Sequence, residues 1–179
     1  FIQLIEKTNK KPHDVKEFCR RQGALLCAML NSTKAEQIVL ANDDFKDELL
    51  SYVEGIALAN YQFLKYKSEK ENNSLKTVAI KSKKITAFDI NKLGTICDAV
   101  CRARDLVNEP QSFLTAPQMS KEFERLGKEA DFKVTVFDKK KIESLKMGGL
   151  LAVNMGSKIP PSFTIMEYKH PREKNKKPY

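Results

Sequence analysis

The sequence has no stretch of roughly 18 consecutive apolar residues, so no segment suits a transmembrane helix. Its opening residues, FIQLIEKTNKK, have too short an apolar part for a signal peptide, and no small-residue cleavage site follows. Histidine occurs only at His13 and His170, which leaves no histidine pair at metal-ligand spacing. No Gly-rich turn leads into Gly-Lys-Ser/Thr, which excludes a P-loop. The dinucleotide fingerprint is missing as well, because the glycines of MGGLLAVNMGS are wrongly spaced and read as turn markers at strand ends. There is no His-Glu-x-x-His helix, and no Gly-x-Ser-x-Gly elbow surrounds Ser112, Ser157 or Ser162. Internal repeats and low-complexity tracts are absent. Motifs alone describe a non-catalytic α/β protein.

What is present is ordinary for a globular chain: 41% hydrophobic and 31% charged residues over 179 positions. That is enough apolar material for a real core. A start at Phe1 sets the expectation that the natural N-terminus lies upstream. The formal charge of +9 is uneven. Residues 1–80 carry 12 basic against 11 acidic side chains, and residues 81–179 carry 20 against 12. The lysines are interleaved with acids and lack the alternating aromatics of a nucleic-acid stacking platform, so they read as a solvated surface.

Four cysteines, Cys19, Cys27, Cys97 and Cys101, are widely spread. That suggests reduced thiols in an intracellular protein rather than a disulfide framework. Cys97 and Cys101 share a helix face and could begin a metal site. No second ligand pair accompanies them, so they are expected to be small buried hydrophobes without metal. Asp43–Asp44 and Asp47–Glu48 read as charges at a helix start rather than a catalytic carboxylate pair.

Along the chain, FIQLIE suggests a strand. Apolar residues from Val15 to Leu30 recur at helical steps, with Asp14 as the expected cap and Pro12 before it. EQIVLAN reads as a buried strand. NDD opens the next helix, with Phe45, Leu49, Val53, Ile56, Asn60 and Phe63 on its inner face. LKTVAIKS is a further strand, giving the alternation of an α/β layer with parallel pairing. A helix from about Asn91 carries the apolar stripe Leu93, Ile96, Cys97, Val100, Ala103 and Val107, and Pro110 stops it near Asn108. Thr115 and Gln118 form a capping box that starts the next helix. FKVTVFD is a strand, and KKKIESLKM is a short helix capped by Asp138. GGLLAVNMGS and PSFTIMEYK are two further strand candidates. The basic tail KHPREKNKKPY suggests a hairpin loop.

One stretch is more specific. Arg104-Asp105-Leu106-Val107-Asn108 is followed by Pro110, and Leu114-Thr115 opens a helix. Then come Met147-Gly148-Gly149, Leu151-Ala152-Val153, Gly156-Ser157, Pro160-Pro161 and Glu167-Tyr168. In that order these features resemble the leucyl aminopeptidase (cytosol aminopeptidase) family. Upstream, Glu54-Gly55 before an aromatic-rich helix end resembles the family's N-terminal domain, more by layout than by motif.

The resemblance implies an α/β protein in three parts. Residues 1–88 are a small N-terminal α/β domain, a mixed sheet with flanking helices. Residues 89–108 are a connector helix, and 109–179 begin a second, catalytic α/β domain that is cut short. It implies a cytoplasmic parent metallopeptidase that removes leucine-type N-terminal residues from peptides as a hexamer, with two zinc or manganese ions activating water. The family's metal ligands and its catalytic lysine and arginine lie in a Gly-Lys-Gly loop and a Phe-Asp-Ser/Thr-Gly-Gly segment. Neither occurs in these 179 residues, so no catalytic, cofactor-binding or metal-binding residue is assigned here. The chain by itself is expected to bind no metal and to be inactive. The alternative reading is a non-catalytic nucleic-acid-binding or regulatory α/β module without membrane association.

Overall fold

The structure, a computed structural model, describes residues 11–170 and Arg172. The strand expected at FIQLIE and most of the basic tail fall outside the described residues. The chain divides into two compact units, Phe1–Asn108 and Glu109–Tyr179.

The first unit runs α1 (Pro12–Ser32), β1 (Gln37–Ala41), α2 (Lys46–Ala59), β2 (Thr77–Lys81) and α3 (Ala87–Asn108). Strands β1 and β2 pair in parallel from Gln37 opposite Thr77 to Ala41 opposite Lys81, with α2 in the crossover. The core joins Cys19, Leu26 and Cys27 of α1 to Tyr52 and Ile56 of α2 and to Leu75. Ile38, Leu40 and Val78 of the strands pack against it. Only one face of β1 is covered, because Val39 is 66% exposed. EQIVLAN is therefore a one-faced strand, not the fully buried one its apolar run suggested. Helices α1 and α2 cross at two glycines. A Cβ on Gly23 would collide with the Tyr52 carbonyl, and one on Gly55 with the Arg20 backbone. The missing side chains let the two backbones touch.

The second unit runs α4 (Ala116–Ala130), β3 (Lys133–Phe137), α5 (Lys139–Ser144), α6 (Gly148–Asn154) and β4 (Phe163–Glu167). Strands β3 and β4 are antiparallel, with Lys133 opposite Glu167 and Phe137 opposite Phe163. The rings of that last pair stack at 6.1 Å. Ile142 of α5 is fully buried. The chain is thus α/β, with a parallel pair in one unit and an antiparallel pair in the other.

Several local expectations change. GGLLAVN is the helix α6 rather than a strand. Leu150 and Leu151 are half-buried while Ala152 and Val153 are exposed, so a single helical face meets the unit. Asp14 lies in the first turn of α1, and the N-cap is Lys11, because Pro12 takes the first helical position, where its fixed φ suits and its missing N–H costs nothing. Thr115 is the N-cap of α4 but its side chain makes no cap hydrogen bond, so the expected capping box does not close. The α2 helix starts at Lys46, not at the Asn42-Asp43-Asp44 turn, and ends at Ala59, so Phe63 stands beyond its inner face. On α3 the buried line is narrower than the apolar stripe. Cys97 is buried and Leu93 and Val100 half-buried, while Ile96, Ala103 and Val107 are exposed, Val107 by 84%.

Candidate functional site

The sequence motif from Arg104 to Asn108 occupies the last turns of α3. There its polar side chains act within the first unit. The Arg104 guanidinium donates from Nη1 to the Leu58 carbonyl at 2.6 Å and sits over the Tyr61 ring, 5.4 Å from its centroid. The Tyr61 hydroxyl donates to Asp105 Oδ1 at 2.7 Å and accepts from Asn108 Nδ2 at 3.1 Å. Burial, then the Asp105 hydrogen bond, pushes the Tyr61 hydroxyl's pKa up. These bonds fasten the end of α3 to the segment after α2. They position a helix.

A second polar knot closes the other side of α2. Asn31 Nδ2 donates to Asn60 Oδ1 at 3.0 Å, and Asn60 Nδ2 donates to the Leu75 carbonyl at 2.9 Å. Leu75 N donates to Asn31 Oδ1 at 3.1 Å, and the Cys27 thiol donates to Asn60 Oδ1 at 3.6 Å. Two asparagines thereby satisfy the chain entering β2. Sequence spacing gives no sign of this knot, since its contacts span 15 to 44 positions.

The remaining candidates disperse. Cys19, Cys27 and Cys97 are buried free thiols and Cys101 is half-buried. Burial pushes the first three up from the usual thiol range, which keeps them protonated and unreactive near neutrality. Asp43 accepts from the Lys83 backbone at 2.7 Å, and Asp47 pairs with Lys16 at 2.7 Å. Ser162 Oγ donates to the Ala116 carbonyl at 2.9 Å and accepts from Ser120 at 2.8 Å. Thr164 Oγ1 is 2.9 Å from Ser120, and the three hydroxyls tie the start of α4 to β4. Ser157 lies in the turn after α6, where its hydroxyl accepts from the Ile159 backbone at 3.1 Å.

Asn154, Met155 and Ser157 border an open cleft of ≈ 480 Å³ in the second unit, shared with Lys139, Glu143, Gly148 and Leu151. Its charged groups, Lys139 and Glu143, stand 4.0 Å apart on one exposed helix face. No three His, Cys, Asp or Glu side chains gather to hold a metal ion among the described residues. A dinuclear metal centre therefore does not fit the donors described, and no chemical step is derived through one.

Asp89 was missed by the sequence reading although its signal is local. Thr86-Ala87-Phe88-Asp89 is a reciprocal cap: Thr86 N and Oγ1 donate to Asp89 Oδ2 at 2.8 and 2.7 Å, and Asp89 N donates back to Thr86 Oγ1 at 3.3 Å. Threonine with an acid three positions on is the signature that would have found it. Lys46 adds an ion pair at 2.7 Å. Together the Lys46 contact and the Thr86 bonds lower the carboxyl to about 2.

Comparison with known proteins covers both units. Residues 101–179 match the model of the cytosol aminopeptidase family, catalytic domain. A probable cytosol aminopeptidase of Clostridium perfringens is 32% identical over 171 residues, 89% of this chain and 35% of the relative. One from Chlorobaculum tepidum is 42% identical over 139 residues, 70% of this chain and 27% of the relative. Among solved structures, a tomato leucine aminopeptidase mutant superposes with a TM-score of 0.78 at 21% identity, covering 93% of this chain and 35% of that one. The bottromycin maturation enzyme BotP gives 0.75 at 24% identity, covering 86% and 34%, and its complex with Mn gives 0.71. At these identities the structures speak for the fold. The chain spans between 14% and 35% of the length of the curated relatives cited here and of the first of them.

Proposed function

Because the chain belongs to the leucyl (cytosol) aminopeptidase family, we propose that it supplies the front part of a metal-dependent aminopeptidase that removes leucine-type N-terminal residues from peptides. In this reading residues 1–88 are the N-terminal domain, 89–108 the connector helix and 109–179 the beginning of the catalytic domain. The observation that carries it is continuity. The catalytic-domain match begins at Cys101 inside α3, and the fold likeness extends over 93% of the chain.

In this reading the parent enzyme would hold two divalent ions, zinc or manganese, and these would supply Lewis-acid chemistry to water and the scissile carbonyl. It works in the cytoplasm as a homohexamer. These 179 residues contribute scaffold. They hold the connector against the N-terminal unit and start the catalytic sheet with β3 and β4. The ligands and catalytic groups come from segments of the Gly-Lys-Gly and Phe-Asp-Ser/Thr-Gly-Gly type. No helix among the described residues is long and apolar enough to cross a membrane.

A chimera tests this. The 179 residues replace the matching front part of the Clostridium perfringens relative, and hydrolysis of a leucine chromogenic amide is followed with manganese. A folded chimera is expected to turn over the amide and to lose that activity to a chelator. A folded, oligomeric chimera without turnover would show that these residues do not serve an aminopeptidase.

A further inference from the structure

We propose that α3 is a clasped helix that detaches from α2 as a unit while the rest of the first unit stays folded, exposing Cys97. Two observations carry this. The first is the small apolar share in the docking of α3. Of its 22 residues only Cys97 is buried, and Cys97 stands outside the core cluster built by α1, α2 and Leu75. A helix held by hydrophobic burial would place a row of side chains in that core.

The second is the position of the polar contacts. At one end, Lys46 in the first turn of α2 pairs with Asp89 in the first turn of α3 at 2.7 Å. At the other, Arg104 caps the Leu58 carbonyl and Tyr61 bonds Asp105 and Asn108. The two helices lie side by side in the same direction, fastened at both ends, with Cys97 between the fastenings and near Glu54 of α2. The Lys46–Asp89 pair is partly exposed, at 37% and 17%, and the Tyr61 bonds are exposed; such contacts are individually modest, and the charged ones weaken with salt. The α1–α2 contact is of another kind, with glycine backbones in contact and Cys19, Cys27 and Ile56 fully enclosed. Opening therefore separates at the α2–α3 seam before the core gives way. The device is a property of the first unit and holds whatever chemistry the parent performs.

Site-resolved alkylation tests it. The 179-residue chain is exposed to iodoacetamide at fixed pH, and each cysteine is quantified by mass spectrometry at low and high salt. The same is done for the double variant Lys46→Gln with Tyr61→Phe. Cys97 labelling is expected to rise roughly fivefold or more in high salt and in the double variant, while Cys19 and Cys27 stay protected. Alkylation of free glutathione at each salt concentration corrects for any direct effect of salt on the reagent, and Cys101, carried by the same helix, is expected to rise with Cys97. If Cys97 follows Cys19 and Cys27 under every condition, α3 opens only with the whole unit and the proposal fails. Should the double variant not fold, labelling of Cys19 reveals it and the wild-type salt series decides.

Discussion

Gly55 on α2 lies bare against the backbone of Arg20 on α1, so close that a Cβ there would fall 2.7 Å from the Arg20 Cα. Backbone cannot yield as a flexible side chain can. Gly55→Ala is expected to destabilise the first unit by about 1–3 kcal/mol, lowering its melting temperature by several degrees. Gly94→Ala is the control. Gly94 is helical, exposed and has nothing within 4 Å of a Cβ, so alanine should stabilise by about 0.5–1 kcal/mol. Equal behaviour of the two variants in thermal denaturation would refute the crossing.

Asn60 uses both ends of its amide, accepting from Asn31 and Cys27 and donating to Leu75. Asn60→Leu strands the Leu75 carbonyl in a part-buried site and removes one acceptor of the Asn31 amide, leaving it the Cys27 carbonyl at 3.1 Å. A loss of about 1–3 kcal/mol is expected, read as a shifted urea midpoint. Exposed Asn72 has no such position, and Asn72→Ala should leave the midpoint within about 0.5 kcal/mol.

Asp89 links stability to pH. Its folded-state pKa of about 2 lies below the ordinary 3.8. Its contribution is therefore complete above about pH 4 and is lost as pH falls through about 2. The melting temperature of Asp89→Asn should fall below wild type at pH 5, and the gap should close on acidification towards pH 2. A gap that stays constant would show that the carboxylate's charge does not contribute.

The 179 residues alone should give no turnover of a leucine chromogenic amide with added manganese or zinc. Activity that co-purifies with the chain through successive columns, and disappears with a chelator, would place a metal centre where none is expected.

The fold was legible wherever one element carried its own signal. The helical spacing from Val15 to Leu30, the alternation of β3, the Asp138 cap, which accepts from Lys141 N at 2.8 Å, and the stop at Asn108 before Pro110 are all local. GGLLAVN misled because a short apolar run suits either a strand or a helix, and only its packing partner decides. The stripe on α3 misled for a related reason: periodicity says which residues share a face, not how much of that face a neighbour covers. The polar residues of the Arg104–Asn108 motif were legible as a family signature. That they fasten onto Leu58 and Tyr61 was not, because Tyr61 and Asp105 are 44 positions apart.

The parallel pairing of β1 with β2 has a kinetic consequence. Every rung joins residues 40 positions apart, as the Asp43–Lys83 bond beyond it also does. Closing so large a loop costs entropy before any rung forms. The contacts between α1 and α2 span shorter separations and enclose the buried core, so they assemble first. Shaving an α1–α2 core side chain, as in Ile56→Val, should slow refolding. Shaving Val78, which joins the core from β2, should leave refolding nearly unchanged and speed unfolding. Stopped-flow measurements on the two variants would separate an early helix pair from a late strand zipper, and equal effects on both rate constants would show that strands and helices form together.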